Sequence, residues 1–232
     1  MAVFGLGVIM KIISLDADIN KSKNIPEEVM DGVVSVAAGD MHSLAVKTDG
    51  SLWTWGHNAD GQLGCGDTEA YKKFSRDKIM DDVAFIAAAG KNSLAIKVDG
   101  SLWTWGNNKY GQLGDGTTIT CSEPVKVMND IISAAAGGEH SLAIREDGSL
   151  WAWGNNKYGQ IGDGTTIMCA EPVKIMDDVV SVVSIGSRNL ALKTDGSLWA
   201  WGNWSDSWSG IAGSTLRVEN TPVKIMDGVK LP

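Results

Sequence analysis

The sequence predicts an all-β fold, a propeller-type array of four-stranded antiparallel blades, and three observations carry this prediction. The segment DGSLWTWGNNKYGQLGDGTT at 99–118 returns as DGSLWAWGNNKYGQIGDGTT at 147–166. The frame W-x-W-G recurs in steps of 50, 48 and 48 residues, starting at Trp53, Trp103, Trp151 and Trp199. No window has an apolar period of about 3.6 residues long enough for a helix of three turns. A fixed period of about 50 residues is typical of propellers and other repeat arrays.

Each repeat divides into four short strands. VVSVAAG and HSLAVK are rich in small and β-branched residues and are bounded by glycine, which indicates strands. KTDGSLW places Asp-Gly between two such runs, which predicts a two-residue type I′ hairpin. SLWTWG alternates with a period of two, so both tryptophans of a pair are expected on one face. EPVKIM supplies the last strand, and four strands per repeat is the composition of one propeller blade.

The repeats form a single domain that covers residues 1–232. The four full repeats are 30–79, 80–127, 128–175 and 176–225. Residues 1–29 are interpreted as a degenerate partial repeat and 226–232 as the start of a further one. VFGLG at 3–7 can be aligned with LWTWG, so strands from the two termini either share a blade or form degenerate ends.

The tryptophan pairs are expected to pack between neighbouring blades. One blade cannot bury both faces of its own sheet, so each face needs a complementary neighbour, and copied residues provide it at every junction. The predicted inter-blade residues are Trp53, Trp55, Trp103, Trp105, Trp151, Trp153, Trp199 and Trp201. Exposed tryptophans would instead form a carbohydrate-binding set, which is the alternative interpretation.

Composition excludes several classes of function. The formal net charge is −8 and no run of Lys or Arg exceeds two, so nucleic acid is not expected as a partner. The apolar opening MAVFGLGVIM is too short to cross a bilayer, so no membrane partner is expected. Cys65, Cys121 and Cys169 are odd in number and form no C-x-x-C, which argues against a disulfide framework or a structural zinc site. Free thiols favour the cytoplasm, and an extracellular location stays open if the chain is part of a longer secreted protein.

The repeat string G-x-x-H-S-L-A-x-x-x-D-G-x-L-x-x-W-G-x-N-x-x-G-Q-L-G-x-G resembles the repeat of the regulator of chromosome condensation family. It is matched by residues 39–66, 90–116 and 137–164, and the fourth copy keeps LALKTDGSLWAWGN but lacks YGQLGDG. The resemblance implies a β-propeller, which has seven blades in this family. It also implies guanine-nucleotide exchange on a small GTPase, which the eukaryotic founder of the family performs. Because this chain has four complete repeats, the sequence leaves open whether the array closes and whether it is part of a longer protein.

One repeat position is a candidate for binding. It is occupied by His42, Asn92, His140 and Arg188, each at the start of a strand just after a glycine turn. The resemblance places this region on the partner-facing surface, whereas a hydrogen bond to the next blade is the structural alternative. His42 and Ser43 cannot form a catalytic dyad locally, because adjacent strand residues point to opposite faces.

Two further segments are candidates for binding. The fourth loop carries the extra tryptophans Trp204 and Trp208, which indicate either a grafted function or a capping blade. DADINKSKNIPE follows a calcium-loop spacing at Asp16, Asp18, Asn20, Ser22, Asn24 and Glu27. Lys21 stands where that loop has glycine and Pro26 precedes the last ligand, so no metal is expected.

The glycine-rich loop GNNKYGQLGDGTT lacks the G-K-[ST] of a phosphate-binding loop, and Asn107 and Asn155 are expected to bond local backbone.

The sequence therefore predicts a non-catalytic binding or scaffold module that contacts a protein partner through blade rims and loops. No residue set supports a named reaction, and no cofactor is expected. Exposed end blades would leave unpaired strand edges, so a homo-oligomer is an additional expectation.

Overall fold

The computed structural model describes residues 30–204 and 218–229, and for 71–76 it describes the backbone. These residues form sixteen strands and no helix. The strands make four separate sheets of four antiparallel strands each. The all-β prediction and its four strands per repeat are therefore confirmed.

The four sheets follow one another along the chain. Sheet 1 contains β1 (Val33–Ala38), β2 (His42–Lys47), β3 (Leu52–His57) and β4 (Tyr71–Met80). Sheet 2 contains β5 (Val83–Ala89), β6 (Asn92–Lys97), β7 (Leu102–Gly106) and β8 (Cys121–Met128). Sheet 3 contains β9 (Ile131–Ala136), β10 (His140–Arg145), β11 (Leu150–Gly154) and β12 (Cys169–Met176). Sheet 4 contains β13 (Val179–Ile185), β14 (Arg188–Lys193), β15 (Leu198–Asn203) and β16 (Val218–Met226).

Within each sheet the strands pair in sequence order, as a simple meander. The first strand of a sheet contacts the first strand of the next sheet, whereas the fourth strand lies at the far edge. The sheets therefore stack side by side like blades, with β1, β5, β9 and β13 along the inner edge.

The hairpin between the second and third strands differs from the predicted type I′ turn. Gly50 has a φ of +76°, but Asp49 is not among the residues with positive φ, and a type I′ turn needs both. The Asp49 carboxylate instead accepts hydrogen bonds from the backbone N–H of Ser51 at 2.9 Å and from its hydroxyl at 2.6 Å. These bonds hold the pKa of Asp49 below its ordinary value. The prediction was wrong because the side chain of Asp49 satisfies the turn without a second left-handed residue.

The hydrophobic core is divided among the three junctions between successive sheets. At the junction of sheets 1 and 2, Leu44 and Leu52 pack with Val83 and the indole of Trp105. The junctions of sheets 2 and 3 and of sheets 3 and 4 repeat this arrangement around Trp153 and Trp201. Burial of one such large apolar side chain contributes about 1.5–3 kcal/mol, so each junction is a substantial apolar contact.

Glycines in the loop between the third and fourth strands allow that loop to lie against the next sheet. Gly114 has a φ of +78°, and a Cβ there would lie 2.6 Å from Nε1 of Trp153. Gly64 and Gly162 have the same relation to Trp105 and Trp201. The repeated G-Q-[LI]-G motif is thus required for close contact between a loop and the indole of the following sheet.

Candidate functional site

The meander gives the array two ends of different character. The upper rim consists of the turns between the first and second strands and the loops between the third and fourth strands. Those segments are 39–41, 90–91, 137–139 and 186–187, with loops 58–70, 107–120 and 155–168. The lower rim consists of the Asp-Gly turns and the connections between sheets. Those segments are 48–51, 98–101, 146–149 and 194–197, with connections 81–82, 129–130 and 177–178.

The two candidate histidines lie beneath the upper rim and not on its surface. His42 is 3% exposed and His140 is fully buried. The Nε2 of His42 is 2.8 Å from the hydroxyl of Ser93 in sheet 2. The Nε2 of His140 is 2.8 Å from Oδ1 of Asn189 in sheet 4. Each imidazole therefore bridges to the next sheet.

Burial sets the charge of these imidazoles. Loss of solvation lowers the pKa of His140 to about 4 and the pKa of His42 to about 4, with the nearby His57 adding to the effect at His42. Both rings are consequently neutral near pH 7. One ring nitrogen of each, Nδ1, has no hydrogen-bond partner.

Asn92 and Arg188 occupy the same repeat position but behave differently. Asn92 is fully buried, and neither Nδ2 nor Oδ1 of its amide has a partner. Arg188 is half-buried, its Nε donates to the carbonyl of Asn203 at 2.8 Å, and its guanidinium lies 5.8 Å from the ring centre of Trp204. A binding role for His42, Asn92, His140 and Arg188 stays a prediction, and only Arg188 of the four is partly open to solvent.

The extra tryptophan of the fourth loop is enclosed. Trp204 is 8% exposed, and its Nε1 donates to the carbonyl of Trp201 at 2.9 Å. Trp208 lies outside the described residues, as do Asp16, Asp18, Asn20 and Glu27 of the calcium-loop pattern. Among the residues that the structure describes, no three His, Cys, Asp or Glu side chains are placed to hold a metal ion.

The second tryptophan of each pair links neighbouring sheets. Trp105, Trp153 and Trp201 are fully buried. Their Nε1 atoms donate to the backbone carbonyls of Gln62, Gln112 and Gln160 at 3.0, 2.9 and 3.1 Å. The acceptor always belongs to the loop of the preceding sheet. Trp55 has no preceding sheet among the described residues, and it is only half-buried.

The first tryptophan of each pair is half-buried and engaged on two sides. Nε1 of Trp53 donates to the Ser51 hydroxyl at 2.8 Å, and the Lys47 ammonium lies 5.6 Å from its ring. The other sheets repeat the serine bond at Trp103, Trp151 and Trp199. All eight paired indoles are buried or half-buried. A bound sugar would need an exposed ring face on which to stack.

The sequence did not identify the asparagines that organise the long loops. Oδ1 of Asn108 accepts from the N–H of Leu113 at 3.0 Å, while its Nδ2 donates to the Thr117 carbonyl at 3.2 Å. Asn58 and Asn156 make the equivalent bonds. Their recurrence in each copy of the loop motif was the available signal.

Two of the three cysteines, Cys121 and Cys169, are not activated as nucleophiles. Cys65, Cys121 and Cys169 are free and half-buried. Burial, together with the nearby carboxylates of Asp115 and Asp163, raises the pKa of Cys121 and Cys169. Their thiols are therefore protonated at neutral pH, and a protonated thiol is a poor nucleophile and metal ligand.

Large apolar side chains are exposed at both ends of the sheets. Ile119 is 70% exposed and Ile167 is 72% exposed, and they occupy equivalent positions in two loops. The others on the upper rim are Met41, Tyr158, Met168 and Ile185. The Thr117 hydroxyl accepts from the N–H of Ile119 at 3.2 Å, which fixes the backbone that presents this side chain. At the lower end, the exposed large apolar side chains are Val98 in a turn, Met226 at the end of β16, and Val34, Ile132 and Val180 near the starts of three first strands.

Four antiparallel meanders that bury a tryptophan between each pair of neighbours define a β-propeller repeat protein. No helix that could span a membrane occurs in the part of the chain that the structure describes. The RCC1-like domain family matches residues 6–231, so the chain belongs to this family.

Several known proteins resemble this chain over parts of their length. The ultraviolet-B receptor UVR8 of Arabidopsis thaliana is 45% identical over 47 residues, which is 19% of this chain and 11% of the receptor. Human WBSCR16 superposes with a TM-score of 0.75 and 28% identity, covering 87% of this chain and 55% of that protein. Prp20p of Saccharomyces cerevisiae superposes with a TM-score of 0.72 and 25% identity, covering 84% of this chain and 50% of Prp20p. The structure of Prp20p was described with its binding to Gsp1p and histones. The chain spans about half the length of these solved relatives.

The buried histidines predict that stability depends on pH. The pKa of an unfolded histidine is about 6.5, so below that pH the unfolded chain binds protons that the folded chain, with a pKa of about 4 at His42 and His140, does not. The free energy of unfolding should have its full value above about pH 6.5. It should decrease by about 3 kcal/mol per histidine as the pH falls towards 4. Urea denaturation at several pH values measures this. His140→Gln should remove about half of the decrease, and an unchanged pH dependence in that variant would contradict the assignment.

Proposed function

We propose that this chain is a non-catalytic protein-binding module whose partner docks on the upper rim. The observation that carries the proposal is a pair of isoleucines at equivalent positions in two successive upper-rim loops, Ile119 and Ile167, which are 70% and 72% exposed. Single exposed apolar residues are common on protein surfaces, whereas a strongly exposed apolar side chain that recurs at the same loop position is a candidate contact for a partner.

The residues at the tips of the inner turns also support recognition at this rim. The framework around them repeats, whereas the tips change from Asp40-Met41 to Gly90-Lys91, Gly138-Glu139 and Gly186-Ser187. Sequence differences confined to the turns of a constant scaffold are expected where a protein distinguishes its partner.

Polar contacts orient two of these tips. The Lys91 ammonium pairs with the Asp60 carboxylate at 2.9 Å, and Nδ2 of Asn155 donates to the Glu139 carboxylate at 2.7 Å. The upper rim thus combines exposed apolar side chains with positioned charges, which is the composition of protein–protein interfaces.

A matched pair of variants tests the rim. Ile119→Asp combined with Ile167→Asp should weaken partner binding by about tenfold or more, because it places charges where apolar contact is expected. Val98→Asp is the control, since Val98 is 74% exposed on the lower rim. Affinity capture with the wild type should identify a protein, whose purified form is then titrated calorimetrically against each variant. Equal affinities for the two variants would contradict docking on the upper rim.

Guanine-nucleotide exchange on a small GTPase is a second candidate function. It is supported by the similarity to Prp20p, described with its binding to Gsp1p, although this chain covers 50% of that structure. The expected result is faster release of fluorescent GDP from purified Gsp1p when the chain is added. A release rate equal to that of Gsp1p alone would dismiss exchange activity on this GTPase while leaving the binding proposal intact.

Self-association through the end sheets is an additional proposal. Leu190, Leu192 and Leu198 are half-buried in sheet 4, although their counterparts in sheets 1–3 are fully buried beneath the next sheet. Val183 in the same sheet is 52% exposed. Light scattering should therefore give a molar mass above that of the monomer, and Leu192→Asp should reduce it, because a charge opposes apolar contact. A wild-type monomer at all concentrations would contradict self-association.

A further inference from the structure

The three junctions between sheets are built from nearly the same sequence, yet they are linked to different extents. At the junction of sheets 1 and 2, His42 bridges to Ser93, and the Asp60 carboxylate accepts from both Lys91 and Asn107. The backbone N–H of Asp40 also donates to the carbonyl of Gly90 at 2.9 Å. These links supplement the hydrogen bond from Trp105 to the carbonyl of Gln62, which has an equivalent at each of the other two junctions.

The junction of sheets 3 and 4 is linked in a similar way. His140 bridges to Asn189, and Ser184 approaches the same Nε2 atom at 3.2 Å. The N–H of Gly138 donates to the carbonyl of Gly186 at 3.0 Å. Asn220 and Gly164 exchange two hydrogen bonds, each 2.8 Å long.

The junction of sheets 2 and 3 lacks several of these links. Trp153 and Ser141 donate to the Gln112 carbonyl, and the N–H groups of Gly116 and Ile131 make backbone bonds across the junction. Among the described residues, no side-chain bridge equivalent to His42 or His140 crosses it.

Two substitutions distinguish this junction from that of sheets 1 and 2. Asn92 stands in place of histidine, and its shorter amide is buried without a partner instead of bonding Ser141. Tyr110 stands in place of Asp60, so the carboxylate that bonds Lys91 and Asn107 has no counterpart here, and Tyr158 occupies the same position at the junction of sheets 3 and 4. Asn155, the counterpart of Asn107, bonds Glu139 within its own sheet. No backbone bond between Gly90 and Gly138 occurs in the described structure.

A local rule connects the histidine to the residue three positions before it. A Cβ on Gly39 would lie 2.1 Å from Cε1 of His42, and Gly137 has the same relation to His140. The imidazole thus occupies the space that an alanine methyl would fill. Sheet 2 has Ala89 at this position together with Asn92, so it lacks both the histidine and the glycine that admits it.

We propose that the junction of sheets 2 and 3 is a hinge between two rigid pairs of sheets, 1–2 and 3–4. The apolar contact around Trp153 persists at this junction, so the motion is a small rotation or slide of one pair against the other. It changes the distance between Met41 and Lys91 on one half of the upper rim and Glu139 and Ile185 on the other. The hinge is a property of the free chain and does not depend on the proposed partner.

Hydrogen exchange tests the hinge with controls inside the same molecule. The N–H groups of Val83, Ile131 and Val179 each donate to a glycine carbonyl of the preceding sheet, at equivalent places in the three junctions. We expect the protection factor of Ile131 to be about tenfold lower than those of Val83 and Val179, because it reports opening of the less linked junction. An array without a hinge would fray from its ends and protect the central junction best, so a protection factor at Ile131 equal to or above the other two would overturn the proposal.

A double substitution tests the assigned cause. Ala89→Gly with Asn92→His should install a bridge to Ser141, since Ser141 already donates to Gln112 as Ser93 does to Gln62. The protection factor of Ile131 should then rise about tenfold, towards those of Val83 and Val179. Asn92→His alone should not achieve this, because the Ala89 methyl blocks the ring. Conversely, His42→Asn should lower the protection of Val83 while leaving Val179 unchanged. A double variant that folds but leaves Ile131 unchanged would refute the cause.

Discussion

The structure depends on one hydrogen bond that is repeated at every junction, in which a buried indole N–H donates to a carbonyl of the preceding loop. A buried indole without a partner would cost about 1–3 kcal/mol, so the carbonyl must be placed accurately. The glycines on both sides of Gln62, Gln112 and Gln160 allow the loop to approach the ring closely enough. Burial of the tryptophan and the shape of the loop therefore depend on each other, and this explains why the motif is copied as a unit.

The same arrangement limits where function can lie. The faces of the sheets are used for packing against neighbours, and the inner and outer strands carry the hairpin bonds. On the upper rim, the turns between the first and second strands differ in every copy, whereas the long loops of sheets 2 and 3 are nearly identical. A partner that reads this rim would contact loops whose backbones are fixed by asparagine and threonine bonds, so little ordering would be needed on binding.

Much of the fold was predictable from the sequence, because the repeats made each observation available several times. The strands and their grouping into four-stranded units follow from periodicity and glycine spacing. The prediction of a type I′ turn at Asp-Gly was wrong, because the Asp49 side chain accepts a hydrogen bond from Ser51. The preference of an Asp-Gly dipeptide for one turn type does not include such a bond. The burial of His42 and His140 could not be decided from one strand, since it depends on the neighbouring sheet. The exposure of Ile119 and Ile167 was missed because no sequence pattern assigned the residues that follow the glycine-rich loop to a strand or to a face.

The carboxylate of Asp60 has a consequence for how the chain reaches its native order. Near-identical sheets present near-identical surfaces, so during folding a sheet could associate with the wrong neighbour and form a trapped state. Asp60 pairs with Lys91 and Asn107, a combination that no other copy of the motif reproduces. This cluster can form only when sheet 2 lies beside sheet 1, so it would favour that order over the others.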